Sequence, residues 1–210
     1  MKARLIFGVL MMFVCSLSFG QTGEQRINKL ELRKKERKYF NNRDSSITLY
    51  IDTLVMKDRS SLQFVGKKKV TLVVKHAEIG KRAFISGMGG RNNASDFDID
   101  INFVKLGSLY VIARGQDAIN GTTTFPNGDG GDVRLVYDSR GVTPQRADKK
   151  ADHYVYVDVS EGGRTTNPTT DLNQIYSRIA MSAPGLRGVP GGQIYSGSPG
   201  QEGSVTIEEK

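Results

Sequence analysis

The sequence predicts an all-β chain: a short right-handed parallel β-helix (β-solenoid) with Gly-rich extended loops and one flanking α-helix. Three observations predict it. Short runs of alternating apolar and polar residues recur along most of the chain, those runs match one another at fixed offsets, and Gly-rich stretches lead directly into them.

The first twenty residues, MKARLIFGVLMMFVCSLSFG, open with Lys2 and Arg4, continue apolar from Leu5 to Leu17 and close on Ser18 and Gly20. This is the pattern of a secretory signal peptide, residues 1–20, cleaved before Gln21. A membrane anchor needs about 18 or more apolar residues, more than this run supplies. Val14 stands before Cys15 where a lipoprotein resembles a pattern with a small residue, which argues against lipidation. Cys15 is the only cysteine. A mature chain without it forms no disulfide, and must be held together by burial and hydrogen bonding.

Residues 21–44 are expected to be a basic N-terminal arm. The chain carries a net charge of +8, and loss of Lys2 and Arg4 with the leader leaves +6. Arg26 to Arg43 holds eight cations and two anions, the same +6, so the remainder is neutral. Such a run is usually a solvated arm. Its functional reading is an electrostatic tether, centred on Arg33, Lys34, Lys35, Arg37 and Lys38, to an anionic envelope surface of lipid or glycan. Nucleic acid is not an expected partner of an exported chain.

The solenoid is expected over residues 45–210. ITLYID (47–52), VTLVVK (70–75), FDIDIN (97–102), VRLVYD (133–138), VYVDVS (155–160) and SVTIEE (204–209) share one frame, with alternate side chains on one face. Ile47, Leu49 and Ile51 correspond to Val70, Leu72 and Val74, and to Phe97, Ile99 and Ile101. The match runs on past the strand: Leu54, Met56 and Leu62 correspond to Ala77, Ile79 and Ile85, then to Val104, Leu106 and Ile112. Leu49 to Leu72 is 23 residues, Leu72 to Ile99 is 27, and Ile99 to Leu135 is 36. Repeats of this length stack on their neighbours, and each strand pairs with its equivalent one coil above. An antiparallel sandwich repeats similar strands by composition alone and does not require those offsets.

Glycine falls at 185, 188, 191, 197, 200 and 203, a three-residue beat interrupted at Ile194. Three residues per turn is the polyproline II period, in which glycine leaves one edge of the ribbon bare for another backbone. A collagen triple helix needs longer uninterrupted triplets. NGDGGDVRLVYD (127–138) and GSPGQEGSVTIEE (197–209) both pass from glycine into the strand frame, and Gly162 and Gly163 follow another strand. These stretches resemble exported bacterial right-handed parallel β-helix proteins with Gly-x-x (collagen-like, polyglycine II) edge loops. The resemblance covers Ile47 to Lys210 and rests on GGDVRL, EGSVTI and the 185–203 triplets. It implies Gly-x-x strands packed side by side. The sequence departs from it in having few triplets and a helix among them, about 171–182. There Leu172, Ile175, Tyr176 and Ile179 form one stripe and Pro184 ends it; the helix is expected to pack on the solenoid flank or close an open end.

Asp96, Asp98 and Asp100 alternate opposite Phe97, Ile99 and Ile101, so the three carboxylates share the outer face. β-Helix polysaccharide lyases and hydrolases are similar in carrying external acids, and that likeness implies acid/base work or calcium binding. A solvated face is the simpler expectation, with Asp98 paired to Arg134 across coils. Asn127, Asp129 and Asp132 are a fragment of a calcium loop that lacks its distant Glu, and read most simply as a turn. His76 and His153 belong to no zinc spacing. No nucleophile elbow, phosphate loop or dinucleotide fingerprint occurs, so no cofactor is expected. Tyr50, Tyr154 and Tyr156 are expected to point outward, as a glycan surface.

The expectation is therefore an exported, non-catalytic structural or adhesive solenoid, in the periplasm, on the outer membrane or outside the cell. Its candidate partners are an envelope glycan or protein, with no transmembrane segment in the mature chain. The alternatives are a small polysaccharide lyase or hydrolase using the Asp cluster, and a subunit of a secretion or motility assembly.

Overall fold

β-Branched and aromatic residues at alternate positions favour pleated strands, and here they build a two-sheet parallel solenoid. The computed structural model describes residues 23–118, 125–163 and 199–210. Its strands are β1 (Glu24–Leu32), β2 (Arg37–Phe40), β3 (Ser46–Met56), β4 (Ser61–Val65), β5 (Lys69–Ile79), β6 (Ala83–Gly90), β7 (Asn93–Ala94), β8 (Asp96–Leu106), β9 (Ser108–Ile112), β10 (Val133–Tyr137), β11 (Tyr154–Asp158) and β12 (Val205–Glu209). One sheet runs β1-β3-β5-β8-β10-β12, and the other runs β11-β9-β6-β4-β2. Every pairing along both is parallel.

The aliphatic column expected from the repeat is present. Leu49, Leu72, Ile99 and Leu135 are successive ladder partners, and each is fully buried. Parallel sheets need both faces or a shared interior to cover apolar side chains. Here the inward faces of the two sheets cover each other. Phe40 stacks on Phe64 at 5.0 Å, and Phe64 meets the edge of Phe97 at 5.9 Å, tying one sheet to the other.

Four expectations are corrected. The segment expected as a free arm is the first coil: β1 pairs along β3 and β2 along β4, with Leu32 and Phe40 buried. Its apolar residues are sparse, so the charges mask strands that only a neighbouring coil can complete. VYVDVS is not in the Leu49 column; as β11 it stacks on β9 in the other sheet. Val104 is 54% exposed, because a bulge in β8 brings Phe103 beneath Ala77 instead. Val111, not Ile112, continues Leu62 and Ile85.

The longer spacing between Leu72 and Ile99 comes from a small antiparallel hairpin of β6 and β7. Arg91 and Asn92 sit at its tip with φ of 51° and 70°, the left-handed pair of a tight hairpin turn. The leader (1–20), the helix about 171–182 and the glycine beat from 185 to 197 lie outside the described residues. No described helix is long and apolar enough to cross a membrane.

The segments 92–97, 113–116, 127–133, 159–162 and 200–204 bond to one another at three-residue intervals. Gly128 and Gly131 N–H donate to the carbonyls of Gln116 and Ala113 (2.8 and 2.9 Å), and Gly200 and Gly203 N–H to those of Gly162 and Val159 (both 3.0 Å). Gly130 and Val133 donate to Gln201 and Ser204, while Asp129 and Asp132 carbonyls accept from Ala94 and Phe97. The 127–133 segment thus bonds to four neighbours, where a sheet strand has two. A Cβ at Gly128 or Gly131 would strike the carbonyl of Asn92 or Ser95.

Candidate functional site

One corner of the solenoid gathers cations from several coils. The links between the two sheets, LRKKER (32–37), MKDRSS (56–61) and IGKRAF (79–84), follow one stacked path. Lys35 N–H donates to the Asp58 carbonyl at 3.0 Å, and Arg59 N–H to the Lys81 carbonyl at 2.9 Å. Lys35, Arg59 and Arg82 all adopt the left-handed conformation, φ 63°, 61° and 55°. Glycine or asparagine fits there with less strain. Each of these three coils nevertheless places a long cation at that point, and the next coil has Ser108 there.

Among the described residues, three clefts open along this corner. One of about 320 Å³ is lined by Lys34, Lys35, Asp58, Arg59, Lys81 and Arg82. The next, of about 390 Å³, shares Lys81 and Arg82 and adds Lys149, Lys150, Asp152 and Tyr110. The third, of about 480 Å³, shares Asp58, Lys81 and Asp152 and is lined also by Val104 and Val142. The acids among them are engaged: Asp58 Oδ1 accepts from Lys81 N–H at 2.9 Å, and Asp152 pairs with Lys81 Nζ at 3.3 Å. Among the described residues, no salt bridge involves Lys34, Lys35, Arg59, Arg82, Lys149 or Lys150. Of the tether residues, Lys34 and Lys35 enter the clefts. Arg33 opens the turn, its N–H bonded to Glu36 Oε2 at 2.7 Å, and Arg37 and Lys38 are exposed on β2.

An aromatic ladder flanks the second cleft. Phe84 stacks on Tyr110 at 5.1 Å, and Tyr110 lies 5.9 Å from both Tyr154 and Tyr156. Tyr156 is exposed as expected. Tyr154 is buried, a correction: its ring meets Tyr110 edge-on, and Gln145 runs beside it in a parallel bridge. Tyr50 is on the other sheet, under the guanidinium of Arg26 at 5.1 Å, so the three tyrosines do not form one surface.

The three outer aspartates are tied to their neighbours. Asp96 Oδ1 accepts from Asp132 N–H at 3.0 Å; Asp98 pairs with Arg134 at 3.2 Å; Asp100 pairs with Lys210 at 2.8 Å. Arg134 also pairs with Glu208, and that bond followed by the one to Asp98 holds its guanidinium above the ordinary arginine range. The calcium-loop residues are likewise engaged with protein donors. Asn127 Oδ1 accepts from Ala118 N–H, Asp129 Oδ1 from Gln201 N–H, and Asp132 Oδ1 from Ser204 N–H and Oγ. Among the described residues, no group of three His, Cys, Asp or Glu is placed to hold a metal ion. His76 pairs opposite Thr53 in the ladder, and His153 adopts φ 66° just before β11.

Sequence reasoning missed Arg59, Lys81, Arg82, Lys149, Lys150, Phe84 and Tyr110. A signal for Arg59 and Arg82 was available, since with Lys35 they recur at nearly the repeat length just before the second strand of the first three coils. No family model, curated protein or solved structure matches this chain.

Proposed function

We propose that this chain is an exported, non-catalytic solenoid serving as a structural or adhesive module of a bacterial envelope or cell surface. The carrying observation is how the outer carboxylates are used. Asp96, Asp98 and Asp100 are bonded to Asp132 N–H, Arg134 and Lys210 of other segments, whereas acid/base catalysis needs a carboxyl free to exchange its proton with a substrate. That use favours a rigid scaffold over a lyase or hydrolase. Parallel ladders along both sheets supply the rigidity, and the cationic corner with its aromatic flank supplies the contact surface.

The finer resemblance belongs to the same reading. Glycine segments bonded at three-residue intervals to several neighbours fit a polyglycine II bundle, added to a right-handed coil. The basic first coil is then the part that meets an anionic envelope surface, by glycan or lipid.

Fractionation of cells expressing the full chain tests location, and uronate release from acidic polysaccharides tests chemistry. The mature chain is expected outside the cytoplasm, without polysaccharide cleavage. Cytoplasmic retention, or cleavage abolished by Asp98→Ala, overturns the proposal.

A further inference from the structure

We infer that the corner formed by Lys34, Lys35, Arg59, Lys81, Arg82 and Lys149 is a binding site for a linear acidic polysaccharide lying along the solenoid axis. The inference deepens the adhesive reading by naming the ligand, and it rests on that reading only for where the ligand would be met.

Four observations converge on it. The cations are stacked coil on coil, so the charge forms a line with the strand spacing of about 4.8 Å. A linear polyanion matches a line of charge better than an isolated anion does. Lys35, Arg59 and Arg82 keep left-handed backbone at three successive levels, and strain retained at equivalent positions points to a function for the residues that hold it. The clefts of about 320 and 390 Å³ join at Lys81 and Arg82, which gives a continuous path. Tyr110, partly exposed, lines that path between Phe84 on one side and Tyr154 and Tyr156 on the other, giving a sugar an aromatic edge to pack on.

The same features separate a polysaccharide from a membrane. A lipid surface is met by a broad face carrying apolar residues beside its cations. Here the cations line clefts along three stacked turns, with Val104 the one large exposed hydrophobic among the described residues lining them. Asp152 pairs with the Lys81 ammonium, while Asp58 accepts from the Lys81 backbone N–H and keeps its charge. The seven cations lining the clefts of about 320 and 390 Å³ outnumber these two acids, so the net charge facing a ligand is positive.

The test uses the purified full chain against four probes: dextran sulfate, uncharged dextran, polyphosphate, and vesicles of phosphatidylglycerol and phosphatidylcholine. Dextran sulfate is expected to bind, with affinity falling steeply as salt rises, and uncharged dextran is not. Replacing Arg59→Gln and Arg82→Gln together is expected to weaken dextran sulfate binding by about tenfold or more. The equal charge change Lys68→Gln with Lys69→Gln, at the start of β5 and away from the corner, is expected to alter it less than about twofold. Tyr110→Leu is expected to weaken dextran sulfate by roughly threefold while leaving polyphosphate, which has no sugar ring, unchanged. Thermal melts establish that each variant is folded.

Equal losses in the two double variants would reduce the site to general charge. Vesicle binding that exceeds dextran sulfate binding and is lost with Arg59 and Arg82 would assign the corner to lipid instead. Insensitivity to Tyr110→Leu would remove the sugar contact. No binding to dextran sulfate ends the inference even if the chain is exported, whereas a cytoplasmic chain that binds it ends the proposed location alone.

Discussion

Arg134 reaches Asp98 on one neighbouring strand through Nη1 at 3.2 Å, and Glu208 on the other through Nη2, so a single guanidinium spans β8, β10 and β12. All three groups are exposed, where charge pairs contribute little and are screened by salt. Arg134→Gln is expected to lower the melting temperature by about 2 °C or less, with the difference vanishing in high salt. A melting series at rising ionic strength checks this; a large, salt-independent loss would mean that the arginine packs rather than pairs.

The buried column responds on a different scale. Leu72 lies between Leu49 and Ile99 without solvent access, so Leu72→Ala is expected to cost about 2–5 kcal/mol through lost burial and the cavity left behind. Val104, lifted out by the bulge, is expected to tolerate alanine with a change within about 0.5 kcal/mol. Chemical denaturation of both variants compares them directly.

Lys67 is fully buried, and its ammonium donates to the carbonyls of Asn42 (2.6 Å) and Asp44. Burial pushes its pKa below the ordinary lysine value, and Asp44 opposes that only in part. Between the lowered folded value and the ordinary value of about 10.4, the unfolded chain holds more protons, so this group adds stability as pH rises across that window. Lys67→Met is expected to leave two carbonyls without their donor and to cost about 1–3 kcal/mol. Denaturation of both proteins from neutral to alkaline pH should show the wild type gaining relative to the variant as pH rises.

Asp132 accepts from Ser204 Oγ and N–H at 2.7 and 2.8 Å, bonds that hold its carboxyl below the ordinary range. The side-chain bond is the larger cause. A lowered folded pKa gives stability that is present above the unfolded value of about 3.9 and lost as pH falls through the folded one. The melting difference between wild type and Asp132→Asn is therefore expected to be widest near neutral pH and to close in acid. A difference that persists below both values would assign the effect to packing.

Gly128 lies against the Asn92 backbone, so Gly128→Ala requires that two chain segments separate. Overpacking of this kind is expected to cost about 1–3 kcal/mol. The readout is hydrogen exchange: faster exchange at Gly162, whose N–H is bonded to the Gly128 carbonyl at 2.8 Å, would locate the damage where these two segments meet.

Much of the coil stacking was legible because a one-residue register error would expose an entire apolar set. Ile47, Leu49 and Ile51 carry that constraint in their own alternation, and so do Val70, Leu72 and Val74. The same rule failed where local pattern and register part company. Phe103 and Val104 are both apolar neighbours, and only the bulge decides which turns inward. VYVDVS has the alternation of either sheet, and only its connection through the 138–153 segment assigns it to β9.

The first coil and the corner were obscured for a related reason. KLELRKKERKYF reads as a charge run, because the first coil places few residues in the interior: Leu32 and Phe40 are buried, Leu30 is half-buried, and the rest of the stretch is exposed. Likewise Lys35, Arg59 and Arg82 are far apart along the chain, and a net charge summed over residues carries no information about which surface they share.

The sequence by itself determined the parallel stack and its central column, since burial free energy is set by where apolar side chains recur and alternation leaves one register that buries them. Tertiary structure alone decided which charges become neighbours. Attraction and repulsion depend on distance through space, and the coils bring the corner cations together while pairing the outer aspartates with Arg134, Lys210 and a backbone amide.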